Sequence, residues 1–136
     1  MRLDLYQAET ARVAAQQQER LEQACAIIRQ GRTLSGLEQS GVLHALQVLI
    51  ENAIGKAKQL LKARGQPVPV SAYDAFAALA DSGLIAPADL PAWNAAVGLR
   101  NRIVHAYMNI DMQQVLDLVL AGRYRHVVDF LIQRFD

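Results

Sequence analysis

A chain of 136 residues with 52% apolar and 20% charged side chains suits one domain, residues 1–136, around one core and is too hydrophobic to stay disordered. A formal net charge of +1 supplies no global field to draw in a polyanion, so any nucleic-acid role has to rest on a local patch. Cys25 is the only cysteine, which excludes an internal disulfide and a multi-thiolate metal centre; with neither a signal-type apolar run at the start nor a membrane-length stretch, a cytoplasmic protein without membrane contact is expected.

The spacing predicts a first helix over about residues 3–30. Val13, Gln17, Leu21, Ala24, Cys25 and Ile28 form a narrow stripe on it. Gln16, Gln17, Gln18 and Glu19 make its middle polar and point part of it at solvent, and Gly31 is its expected stop. Ser35-Gly36-Leu37-Glu38 has the form of a capping box and opens a second helix. Leu43, Leu46, Ile50, Ala53, Ala57 and Leu60 follow at spacings of three and four, a stripe meant for a partner helix along its whole length. Gly65 ends this helix, and Pro67 and Pro69 keep it from resuming.

Ser71 and Asp74 open a short third helix by the same capping logic, with Tyr73, Phe76, Ala77 and Ala80 as its apolar face and Gly83 as its close. Pro87 and Pro91 confine the next start to residues 87–92. Trp93, Ala96, Val97, Ile103 and Val104 mark this fourth helix, which is expected to reach towards Tyr107. Asp111-Met112-Gln113-Gln114 reads as another capping box, beginning a fifth segment that Gly122 breaks before Val127, Phe130 and Leu131 resume the pattern. No stretch alternates with period two. The expectation is an all-α, up-and-down bundle of four to five helices.

The run Gly98-Leu99-Arg100-Asn101-Arg102-Ile103-Val104-His105-Ala106-Tyr107 carries the chemistry. An imidazole moves protons near neutral pH, and a guanidinium grips phosphate by two hydrogen bonds while stabilising added negative charge. Cleavage of an RNA phosphodiester needs those two functions, with the neighbouring 2′-hydroxyl as nucleophile, and calls for no metal. An Arg and a His on one helix are, by themselves, more often a solvated face and a packed ring.

The longer pattern Gly-Leu-Arg-Asn-x-x-Val-His-x-Tyr, continuing to Ile110-Asp111, resembles the R-x4-6-H motif of the HEPN superfamily in its HepT-like branch. The Glu51-bearing second helix, the short helix after it and Leu84-Ile85-Ala86-Pro87 are similar as well. The resemblance implies a metal-independent RNase toxin of a toxin–antitoxin pair, with Arg100 and His105 as nuclease residues and Asn101 supporting them. It implies a homodimer, or a higher assembly with the antitoxin, whose active cleft lies at the dimer interface. It further implies RNA as substrate, no cofactor, and an MntA-like nucleotidyltransferase antitoxin that transfers AMP to Tyr107. The rival reading is a non-catalytic HEPN helical module that partners a nucleotidyltransferase; a structural bundle with an accidental motif is a third.

Helix geometry tests the motif. Residues 100 and 107 of one helix share a face, whereas 100 and 105 lie about 140° apart and about 7.5 Å along the axis. One regular helix therefore does not aim Arg100 and His105 at one phosphate. Either the helix unwinds near His105 or a twofold axis brings two motif helices together; the twofold is the working hypothesis. On the same geometry Tyr107 is expected to project its hydroxyl near Arg100, so that an attached AMP blocks the guanidinium.

Other residues are assigned as follows. Arg102, Arg123 and Arg125, with His126, are candidates to extend a phosphate-binding surface. Lys56, Lys58, Lys62 and Arg64 read as the basic end of the second helix, complementing its dipole. Glu51 either pairs with Arg100 or faces solvent, the pairing being favoured. His44 is taken as structural, Cys25 as a small packed hydrophobe, and Trp93 as a core or interface anchor. Three scattered histidines offer no metal-ligand spacing, and no Gly-rich phosphate loop is present.

Overall fold

The second helix organises the molecule. In this computed structural model, which describes residues 2–136, α2 (Gly36–Ala63) packs against four other helices: α1 (Leu3–Arg29), α3 (Ala72–Asp81), α4 (Leu90–His105) and α6 (Arg125–Ile132). A short α5 (Met112–Leu120) precedes α6, and single 3-10 turns occupy Pro87–Asp89 and Tyr107–Asn109. No strand occurs among the described residues, so the fold is all-α, with six α-helices because Gly122 does divide the last segment. Gly122 adopts a φ of 71°, a conformation open to glycine at little cost, and the chain turns there from α5 into α6.

The expected caps explain where the helices begin. The Glu38 amide donates to Ser35 Oγ at 3.1 Å, and the Ser35 amide donates to Glu38 Oε1 at 2.8 Å. Arg32 donates to the same carboxylate and, with the Ser35 amide, holds its pKa down at about 2. Ser35→Ala is expected to lower unfolding free energy by about 1 kcal/mol, read from the urea midpoint, because the Glu38 amide at the start of α2 loses its ordered partner. Ser71 accepts from the Asp74 amide in the same manner. The Asp111 motif is only half a box: Asp111 caps the Gln114 amide at 3.2 Å, but the Gln114 side chain returns no bond.

Every member of the expected α2 stripe is buried, from Leu43 through Leu60. The core continues through Leu21 of α1, Phe76 and Leu79 of α3, Val97 of α4 and Val127 and Leu131 of α6. Trp93 belongs to this core: it stacks on Phe76 with 4.3 Å between centroids and meets Phe130 edge-on at 5.0 Å. Cys25 is buried as expected.

Gln17 keeps its place in the α1 stripe: it is buried although its neighbours Gln16 and Glu19 are exposed. Two expectations about faces change. Tyr73 is exposed, and Ala75 and Leu79 take the buried positions of α3 in its place. Lys56 is not part of a solvated basic end: it is fully buried, and its ammonium donates to the carbonyls of Phe130, Leu131 and Gln133 at the end of α6. The chain ends meet nearby, where the Gln7 amide group both donates to the Phe135 carbonyl at 2.8 Å and accepts from its amide at 2.7 Å. Among the described residues no helix is long and apolar enough to cross a membrane.

Candidate functional site

Leu99 and Ile103 are buried, which fixes the rotation of the last two turns of α4. Their neighbours then fall on predictable sides. Arg100 and Asn101 are half-buried, while Arg102, Val104 and His105 are exposed. Arg100 is turned towards α2: its Nε donates to Glu51 Oε2 at 3.4 Å, and its Nη1 donates to Asn101 Oδ1 at 3.0 Å. Gln47 Nε2 donates to the other Glu51 oxygen at 3.4 Å. The network Gln47–Glu51–Arg100–Asn101 thus holds the guanidinium in place, and the favoured pairing of Glu51 with Arg100 is present. Its bonds to Glu51 and from Gln47 are long ones, so the arginine is oriented without being sealed by a tight ion pair.

α4 stays helical through His105 and leaves the helix at Ala106, whose φ and ψ are −136° and 34°. Unwinding begins only beyond the imidazole, so within one copy Arg100 and His105 keep their divergence of about 140°. Tyr107 falls in the 3-10 turn instead of on α4, which overturns its expected alignment with Arg100. Its hydroxyl lies 3.1 Å from Ser40 Oγ, near the start of α2. Ser40 and Glu51 are separated by about 16 Å along that helix, so in one copy the tyrosine hydroxyl and the guanidinium contact α2 at well-separated points.

The two contacts show that α2 and α4 run antiparallel, and a small groove beside Tyr107 is lined by Ser40, Leu43, Ile110 and Met112. His44, expected to be structural, is exposed and sits between Ser40 and Glu51 on the outer face of α2. The signal was the spacing of 40, 44 and 51, which falls on one side of the helix away from the buried stripe.

The outlying basic residues separate into two groups. Arg102 and Arg123 line a second groove of about 470 Å³ between α4 and α5, together with Asp111 and Asp117, so that surface is of mixed charge. Arg125 lies elsewhere, its guanidinium 5.9 Å from the ring centroid of Tyr124. His126 is not a surface phosphate ligand: it packs edge-on against Trp93 at 4.8 Å, and burial pushes its pKa below the ordinary imidazole value. Among the described residues no cluster of three or more His, Cys, Asp or Glu side chains is placed to hold a metal ion.

Comparison with known proteins agrees with this architecture. The family model "Ribonuclease HepT-like" matches residues 14–131. A crystal structure of a toxin–antitoxin with AMP-PNP contains a chain 21% identical, with a TM-score of 0.77 over 93% of this chain and 97% of that one. A tri-AMPylated Shewanella oneidensis HEPN toxin in complex with MNT antitoxin is 22% identical, with a TM-score of 0.77 over 93% and 96% of the two chains. A mutant of the toxin–antitoxin MntA-HpeT is 26% identical, with a TM-score of 0.73 over 93% and 94%. No curated protein matches the chain.

Proposed function

The chain belongs to the HepT-like ribonuclease family, and from that membership we propose that it is the toxin of a toxin–antitoxin pair, a metal-independent endoribonuclease acting through Arg100 and His105. The observation that carries this reading is the Arg100 guanidinium, half-buried and held by Glu51 and Asn101, on the helix that also carries an exposed His105. A structural arginine would be sealed in its ion pair; this one is oriented and still accessible.

In the proposed reaction a base takes the proton of the ribose 2′-hydroxyl, and that oxygen attacks the adjacent phosphorus. The bond to the 5′-oxygen breaks, and the leaving oxygen receives a proton. The products are a 2′,3′-cyclic phosphate and a 5′-hydroxyl. Arg100 binds the non-bridging oxygens by charge-assisted hydrogen bonds that strengthen as negative charge builds on them. His105 performs a proton transfer. Two copies related by a twofold axis bring both motif helices to one cleft, and a homodimer is the form we assign to the active enzyme.

Tyr107 is the residue we assign to modification by a cognate MntA-like nucleotidyltransferase. Tyr107 is 48% exposed, and once its bond to Ser40 is released its oxygen, losing its proton, can take AMP from ATP with pyrophosphate as the leaving group. An adenylyl group there lies at the groove lined by Ser40, Leu43, Ile110 and Met112 and adds negative charge along the proposed path of RNA. The purified chain is expected to cut RNA with chelator present, and His105→Ala is expected to stop both cutting and growth arrest. Tyr107→Phe is expected to remain toxic while escaping neutralisation by the antitoxin and ATP. A folded wild-type chain that leaves total RNA intact would overturn the nuclease reading and favour the non-catalytic module.

A further inference from the structure

Gly98 leaves a bare stretch on the outer face of α4, and two side chains converge over it. Helical spacing puts Gly98 within about 20° of His105 around the α4 axis, and Arg102 within about 60° of it. A Cβ at Gly98 would lie 3.5 Å from the Tyr73 hydroxyl and 3.7 Å from Arg102 Nη1. A phenol from α3 and a guanidinium from α4 therefore meet over helix backbone. They do so on the side of α4 that carries His105, not on the side where Arg100 meets Glu51.

The fold brings Tyr73 there by local means. Ser71 caps the first turn of α3 and so fixes Tyr73 one turn before Phe76. Phe76 stacks on Trp93 while Tyr73 reaches Gly98, so α3 and α4 run antiparallel and the start of α3 lies beside the motif half of α4. Gly98 offers no side chain to cover the ring, and Tyr73 stays 42% exposed. Arg102 is exposed as well, and among the described residues its guanidinium has no carboxylate partner. An open aromatic face beside an unneutralised cation suits one nucleotide of single-stranded RNA: the base stacks on the ring and a phosphate binds the guanidinium. A strand cut by His105 has to cross this same face, which favours RNA over a protein partner.

We propose that Tyr73 and Arg102 form an RNA subsite beside the cleaved linkage, Tyr73 stacking a neighbouring base and Arg102 holding an adjoining phosphate. The proposal rests on the ribonuclease reading above. It holds whichever copy supplies the Arg100 that meets His105, because Tyr73, Arg102 and His105 belong to one face of one α3–α4 pair. From His105 the strand runs about 4.5 Å along α4 to the level of Arg102, and about 10.5 Å to the level of Gly98 and the tyrosine. Contacts at this distance from the reacting phosphorus are shared by ground and transition states. The subsite therefore sets RNA affinity and leaves the rate of the bound complex unchanged.

The test measures binding of an uncleavable single-stranded 2′-deoxy oligonucleotide over a series of salt concentrations, beside single-turnover cleavage of the matching RNA. Tyr73→Ala is expected to weaken binding about five- to a hundredfold, the range for removing one stacked base, for purine and pyrimidine strands alike. Tyr73→Leu, which keeps apolar bulk without a planar ring, is expected to lose as much, and guards against a folding defect peculiar to alanine. Tyr73→Phe keeps the ring and is expected to stay within about threefold of wild type. Arg102→Ala is expected to weaken binding and to lower the slope of log affinity against log salt by about 0.7, the share of one phosphate on a single strand. At saturating protein every variant is expected to cut at the wild-type rate, with circular dichroism and thermal midpoint unchanged. A Tyr73→Ala or Arg102→Ala protein that binds with wild-type affinity overturns the proposal alone. So does a loss confined to the saturated rate or to neutralisation by the antitoxin. A folded wild type that cuts no RNA brings down the ribonuclease reading, and this proposal with it.

Discussion

Arg100→Ala is expected to slow RNA cleavage by about a hundred- to a thousandfold at saturating RNA, the range for removing a single charge-stabilising donor from a transition state. The argument comes from position. Nε and Nη1 are held by Glu51 and Asn101, so the planar fork is oriented before substrate arrives, with little further ordering to be done in the transition state. Lysine keeps the charge but loses the planar fork and the simultaneous contacts to Glu51 and Asn101, so Arg100→Lys is expected to recover only a minor part of the rate. Glu51→Gln should give a smaller loss, and a double-mutant cycle with Arg100→Lys should show the two effects to be non-additive. Stability is expected to change little in each case, because Arg100 and Glu51 keep side-chain exposures of 29% and 39%. Rate measurements at wild-type level for Arg100→Ala would remove the guanidinium from the mechanism.

Lys56→Met is expected to lower the free energy of unfolding by about 2–4 kcal/mol at neutral pH, measured by urea denaturation. Methionine matches the length of the lysine stem but donates no hydrogen bond, so the carbonyls of Phe130, Leu131 and Gln133 lose their buried donor. The ammonium also lies 4.8 Å from the Phe135 ring centroid and 5.2 Å from that of Phe130, contacts favourable to a cation. The pH dependence separates this lysine from its neighbours. Burial lowers its pKa to about 8 in the folded chain, against about 10.4 for a lysine in water. Between those values the unfolded chain binds the additional proton, so Lys56 makes folding more favourable as pH rises from about 8 towards about 10. Below that window its contribution is flat. Wild type should therefore gain stability over Lys56→Met between neutral pH and pH about 9.5; equal pH slopes in the two proteins would refute the assignment.

The frame of the molecule was legible because helix starts and faces are local properties. Ser35 and Glu38 announce α2 by their own chemistry, and the Leu43-to-Leu60 stripe repeats often enough to define a face without knowing what covers it. The all-α fold followed from such features and the HepT-like likeness from the run Gly98 to Tyr107, and the family model and solved structures agree with both. The failures have different causes. Lys56 lies one residue before a stripe member, and whether a long cationic side chain meets water or the end of α6 depends on an element some seventy residues away. Tyr107 was assigned to α4 because nothing between Val104 and Tyr107 resembles a stop signal; the helix ends at Ala106, beside α2 and short of the Asp111 cap. His44 looked structural for its closeness to the apolar stripe in sequence, although its angular position puts it outside the stripe. Pairing of Glu51 with Arg100 was favoured because of the place of Glu51 in the family likeness, and it is present.

The closure of the chain on itself through Gln7 and Phe135 bears on how the protein can be handled. Arg64 at the end of α2 reaches the Asp136 carbonyl, so both termini gather at that end of the longest helix. Ser40, which holds Tyr107, lies about 36 Å away along the same axis. A fluorescent domain or purification handle attached to either end therefore has ample clearance from the groove and from the tyrosine. A single attachment point there leaves the proposed RNA and antitoxin surfaces uncovered.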